Sequence, residues 1–406
     1  MISIKKQVLI ALFYFLIAGS LGVLLRLFPV ANVNATYKYI VHTHSHVALL
    51  GWVYVGLTSL IYHLFIKREV QKKYSILCWC TQITILGMLV SFPITGYALF
   101  SIIFSTLFLI CSYWFYFFFR KHNTCNKSNY SYKFINTSLL FMIISSIGPW
   151  SLGIIMNTLG STSHWYKNAI YFYLHFQYNG WFIFALLGIF FFMLEKKKIY
   201  IHKKFITPFY KYLIISCILT LFLSFLWIKP NKFIYLLSGL GVVYQIVALV
   251  KLHLIFKNYK IFFIKKFTPS TYKLLQFIYL LFVFKIILQF LTAIPYFAIL
   301  VSQITDFVIG YLHLTFLGIV SLCLFAFFNY FKLLEFSKIW VKIYLIGFIL
   351  SEFLIFYKGF CNWQQLSIIN NYYTILMLVS VLIPIGILGI FVSNLKPTFS
   401  TPKEPL

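Results

Sequence analysis

Acidic residues are nearly missing from this chain: six Asp and Glu stand against 34 Lys and Arg in 406 residues. Charge of either sign is scarce, at 10% of the chain, where soluble domains run near about 25%. So few charges cannot solvate a globular surface, which excludes an ordinary cytosolic enzyme. No Gly-rich phosphate loop and no Walker-type lysine motif is present, which argues against an ATP-driven machine. The seven cysteines are scattered; Cys78 and Cys80 lie too close for the usual zinc pair, and no second pair completes a site. They read as apolar filler. No Gly/Ser linker, low-complexity tract or repeat is evident, and no loop is long enough for a soluble domain. The expectation is one membrane domain over 1–406.

What is present is apolar: 62% of residues are hydrophobic, and mean hydropathy is +0.91 along the whole length. A bilayer crossing needs about 20 such residues. The sequence predicts twelve crossings, at 8–28, 46–65, 75–92, 97–119, 134–156, 169–193, 205–228, 233–256, 274–297, 306–331, 339–357 and 373–395. The fold class is therefore an all-α transmembrane bundle. Tyr74 to Phe119 is almost continuous and as one helix would be about 69 Å long. It must turn, and Pro93 and Gly96 mark the place. Lys5-Lys6 before an apolar run imitates a signal peptide, but an uncleaved first span is the better reading.

The net charge of +28 would suggest a nucleic-acid partner in a soluble protein. Here the basic residues alternate by loop, and the partner they imply is the lipid bilayer, with no nucleic acid. Clusters such as Lys67-Arg68, Arg120-Lys121, Lys196-Lys197-Lys198, Lys265-Lys266 and Lys338 share one side with Lys5, Lys6, Lys396 and Lys403. The other side carries only Arg26, Lys38, Lys167, Lys229, Lys232 and Lys358. By the positive-inside rule both termini are cytoplasmic, and even-numbered spans enter from the outer face.

That parity isolates three histidine sites among ten His. His42, His44 and His46 precede Val47-Ala48-Leu49-Leu50-Gly51-Trp52 at the start of span 2. His175 lies in the outer third of span 6, four residues before Asn179. His313 follows Tyr311 in the outer half of span 10. An imidazole in the bilayer pairs with a polar group or binds a metal. Two His on facing helices are a standard way to hold a haem iron. Gly51, Gly56, Gly180, Gly310 and Gly318 could admit a flat macrocycle or a neighbouring helix. Against this, interhelical hydrogen bonding by His is ordinary glue, and the three clustered His could equally form an outer-surface metal site.

Twelve spans without a soluble domain, with outer-side His on spans 2, 6 and 10, resemble subunit I of the haem-copper oxidases and nitric oxide reductases. The best local likeness is His42-Thr43 running to Trp52 and on to Tyr62-His63-Leu64. The resemblance implies a low-spin haem b held by His46 (or His42) and His313. It places His175 at a copper or non-haem iron position, with His44 a further metal candidate. It also implies a multi-pass protein of the bacterial cytoplasmic membrane acting in respiratory electron transfer or oxygen and nitric oxide handling, beside an electron donor or respiratory-complex subunits. Two positions depart from the family: Tyr311 stands where a high-spin haem ligand is expected, and span 7 holds no His for a copper site. An oxidoreductase with a complete binuclear centre is thus not implied.

Other polar residues fall inside spans. Lys285, with Gln289 one turn on, either reaches an interface or internal cavity, or joins Glu352 in a proton path. Asp306 is expected to cap span 10 or orient a His. Asn179, Gln177 and Asn157 suggest an outer polar group. A secondary transporter, with Lys285 and Asp306 as coupling residues, is the alternative reading.

Overall fold

In the computed structural model, which describes residues 2–395, twelve helices are long and apolar enough to cross a membrane. They are Ile4–Leu27, Tyr37–Phe65, Arg68–Thr95, Leu99–His122, Tyr130–Thr158, His164–Lys196, Lys203–Ile228, Lys232–Asn258, Pro269–Thr292, Thr305–Tyr330, Lys338–Gln364 and Tyr372–Leu395, called spans 1 to 12 below. No strand occurs among the described residues. Lys396 and Lys403, read above as part of the basic side, lie outside them.

Breaks fall where local chemistry puts them. Span 3 runs through Pro93 to Thr95 and ends on Gly96, whose φ of +61° only glycine adopts freely. Span 9 stops at Thr292, short of the expected 297, because Pro295 opens a separate helix, Pro295–Gln303. Span 2 starts nine residues before its expected beginning, at Tyr37, so all three clustered histidines are helical. Hydropathy misses that turn because His, Thr and Ser are polar, and packing against spans 1 and 3 compensates.

Consecutive spans pack side by side, and span 12 returns to span 1, which closes a ring. Spans 2, 6 and 10 sit inside it. Span 2 touches span 6, span 6 touches span 10, and Trp52 Nε1 of span 2 donates to Ser321 Oγ of span 10 at 2.8 Å. Burial is highest in the most apolar stretches of spans 2 and 6, at 83% and 89%, while span 10 at 56% equals span 3.

The three inner spans share one local device. Each passes from α- to π-helix at the residue after a histidine: Val47–Tyr54 after His46, Phe176–Phe182 after His175, and Leu314–Val320 after His313. Each carries Gly five residues after that His, at Gly51, Gly180 and Gly318. A Cβ at any of them would lie 2.7 Å from an aromatic side chain of an outer span: Tyr14 of span 1, Phe141 of span 5 and Phe348 of span 11. The glycines therefore seat neighbouring helices. This local device recurs on every fourth span, at spans 2, 6 and 10, which hydropathy alone does not reveal.

Candidate functional site

Side chains two apart on an α-helix point roughly 200° apart, whereas those four apart share a face. His42 and His46 accordingly face span 3 and the turn that follows it. His46 Nδ1 donates to the His42 carbonyl at 2.8 Å, and Tyr97 O–H donates to His46 Nε2 at 3.3 Å. Phe92 packs on both rings. His44 points the other way, into the bundle. Its Nδ1 donates to the Ala18 carbonyl of span 1 at 2.8 Å, which fixes the tautomer and leaves the Nε2 lone pair open. Its ring centroid lies 6.5 Å from that of His313, at 72° between planes. Of the three clustered histidines, His44 is the one whose ring lies beside His313, while His42 and His46, expected as haem ligands with it, face the other way.

Three further groups surround this pair. Glu352 of span 11 brings Oε1 to 3.9 Å from His313 Nδ1, too far for a hydrogen bond. His313 Nδ1 and both Glu352 carboxylate oxygens have no hydrogen-bond partner among the described residues, although all three are buried. Arg26 of span 1 donates to Ser380 Oγ of span 12 and lies within electrostatic reach of Glu352. His313 keeps 24% of its side-chain surface accessible. The third group is Gly22, where a Cβ would meet His44 Cε1 at 3.2 Å.

His175 belongs to a different cluster. Its Nε2 donates to the Cys217 carbonyl of span 7 at 2.8 Å, and Asn179 Nδ2 donates to its Nδ1 at 3.2 Å. Both ring nitrogens are engaged. Asn179 Oδ1 accepts from Lys285 Nζ at 2.6 Å, and Lys285 also donates to Gln289 Oε1 at 2.8 Å. Gln245 of span 8 donates to the same oxygen at 2.9 Å. Lys285 is 1% exposed and reaches neither an interface nor Glu352, which stands by His313 instead. The expected proton pair is therefore split between two sites. The length of span 9 places Lys285 too deep to snorkel, and amides one turn away on its own helix and on span 6 satisfy it.

The remaining polar residues separate. Asp306 does not cap span 10; it lies inside the first turn and accepts from Lys358 Nζ at 3.1 Å and Asn362 Nδ2 at 3.2 Å on span 11. Gln177 donates to Ser145 Oγ, while Asn157 bonds its own helix at the surface. Tyr311 O–H, next to the Lys285 cluster, has no hydrogen-bond partner among the described residues. Nor do the described residues hold any group of three or more His, Cys, Asp or Glu placed to bind a metal ion.

No protein-family model matches the chain, and a search of curated proteins returns no match. The class stated by the structure is a polytopic α-helical membrane protein.

Proposed function

We propose that the protein is a membrane haem protein that carries electrons, with His44 of span 2 and His313 of span 10 as the residues that would hold the haem. The observation that carries this reading is the pairing of their rings at 6.5 Å. Two imidazoles bound to one metal, at about 2 Å per bond, set their centroids roughly 6 Å apart. The donor set fits as well. The Ala18 carbonyl holds His44 as an Nε2 ligand, and a proton on His313 Nδ1, facing Glu352, would leave that ring's Nε2 lone pair free as well. Arg26 supplies a guanidinium that suits a carboxylate-bearing ligand edge.

A haem held by His44 and His313 would supply one-electron chemistry. Electron transfer is thus favoured. The transporter reading loses its coupling pair, because Asp306 is committed to Lys358 and Asn362 and Lys285 to amides. The basic loops favour an orientation with those loops on the cytoplasmic side, which supports a multi-pass protein of the bacterial cytoplasmic membrane.

Protein purified from a haem-replete host should show a reduced-minus-oxidised b-type spectrum. His44→Ala and His313→Ala should abolish it, while His46→Ala should retain it. Colourless wild-type protein, or loss in His46→Ala alone, would overturn the assignment.

A further inference from the structure

Between spans 8 and 9 the chain forms a short helix, Lys260–Lys266, that is no crossing of its own. Span 8 has 27 residues and is about 40 Å long, more than the hydrocarbon core of about 30 Å, so the helix that follows it falls at headgroup level. Its inward face is fixed by two phenylalanines four residues apart. Phe263 packs on Phe256 of span 8 and Phe190 of span 6, and Phe267 stands beside Tyr330 of span 10. Both are buried.

The other face is left open. Ile261, Phe262 and Ile264 are 66%, 53% and 52% exposed. Exposed apolar side chains are ordinary on a span, which has lipid beside it; on a connecting helix they would face water unless the bilayer surface takes them. Lys260, Lys265 and Lys266 interleave with them, Lys257 precedes them, and all four lysines are exposed. Lys203 and Lys204 adjoin the same patch, because the Tyr259 hydroxyl accepts from the His202 backbone N–H at 2.9 Å and ties the loop between spans 6 and 7 to this helix. The lysines have no acidic partner among the described residues. No Asp or Glu occurs between Glu195 and Asp306. The Glu195 carboxylate accepts from Ser131 and Asn129, and both ion pairs among the described residues lie elsewhere.

Lysines that only set topology would account for the charge but leave three large apolar side chains in water. A free phosphate ion would do the same. An anionic phospholipid accounts for both, with its acyl chains beside the apolar residues and its phosphate at the lysines. We propose that the helix Lys260–Lys266 lies in the membrane surface and binds anionic phospholipid. Ile261, Phe262 and Ile264 enter the acyl boundary, and Lys260, Lys265 and Lys266 reach up along it to the phosphates.

The test uses the full chain with the photo-crosslinker p-benzoylphenylalanine in place of Phe262. It is placed in nanodiscs of equal parts phosphatidylglycerol and phosphatidylcholine with the same acyl chains, irradiated, and its adducts identified by mass spectrometry. Lipid adducts are expected, with phosphatidylglycerol favoured about fivefold or more, the scale of one lysine at an anionic surface. Changing Lys260→Gln, Lys265→Gln and Lys266→Gln together should bring the ratio to about one, while arginine at the same three positions should keep it. The matching triple Lys67→Gln, Lys72→Gln and Lys73→Gln, in the loop between spans 2 and 3, should leave the ratio unchanged. All six lysines are exposed, so neither triple disturbs the packing. Absence of lipid adducts would put this face in water, and adducts to protein would make it a protein interface. Equal yields of the two lipids, or a preference that survives the glutamine changes, would remove the recognition of charge. Each of these results would overturn the proposal.

Discussion

At the scale of single residues, depth decides what a polar group must do. Trp52 is 1% exposed and its indole N–H has one partner, Ser321 Oγ, which itself donates to the Phe316 carbonyl at 2.8 Å. Ser321→Ala would strand that N–H in the protein interior, at a cost of about 1–3 kcal/mol. The expected result is a lower midpoint in thermal unfolding of the solubilised protein. Adding Trp52→Phe should cost less than the sum of the two single changes, because it removes the stranded donor. The presence of buried polar residues on spans 2, 6, 9 and 10 was legible in the sequence, since His and Lys inside apolar runs stand out. Their partners were not. Lys285 and Glu352 looked like a pair from depth alone, yet Asn179 and Gln289 take the lysine, because neutral amides carry no charge signature by which to be sought.

At the scale of the helix, rotation matters more than position. Three candidate histidines at one level gave no reason to choose among them by level. The face decides, and it separates His44 from its neighbours on either side. The π-helical segment that follows adds to this, since a π turn takes in an extra residue and offsets the helix on one side relative to the other. Inserting one Ala after Ser45, outside the π-helical segment, should rotate the Tyr37–Ser45 half by roughly 100° against the rest of the span. Haem absorbance should then be lost, while far-ultraviolet circular dichroism stays unchanged. The repeat of His followed by Gly five residues later was written in the sequence at positions 46, 175 and 313, but three matches of two residues each do not stand out from 406 until the helices show them to be equivalent.

At the scale of the whole molecule, the number of crossings was legible and most boundaries fell within about five residues, except the starts of spans 2 and 3 and the end of span 11. Apolar runs report a bilayer directly. Which spans sit inside the ring was not legible, because lipid-facing and helix-facing surfaces are alike apolar. Sidedness rests on the basic loops and can be measured. In cells, a cysteine at Ser161 should react with an impermeant maleimide from outside, and one at Ser128 only after lysis, in a background lacking Cys125. The reverse pattern would invert the topology.

The inner position of spans 2 and 6 also bears on how the chain is made. Both have a hydropathy of 1.6, the lowest of the twelve, while span 12 reaches 2.9. A newly synthesised helix leaves its insertion channel into lipid, and these two would arrive there bearing His42, His44 and His46 or His175, Gln177 and Asn179. Lipid offers such groups nothing to bond. Spans 1 and 5, each made just before, hold the first available partners: the Ala18 carbonyl for His44 and Ser145 for Gln177. Each inner helix is thus released most favourably as half of a hairpin with its predecessor, so that the order of synthesis supplies the neighbours that the finished bundle requires.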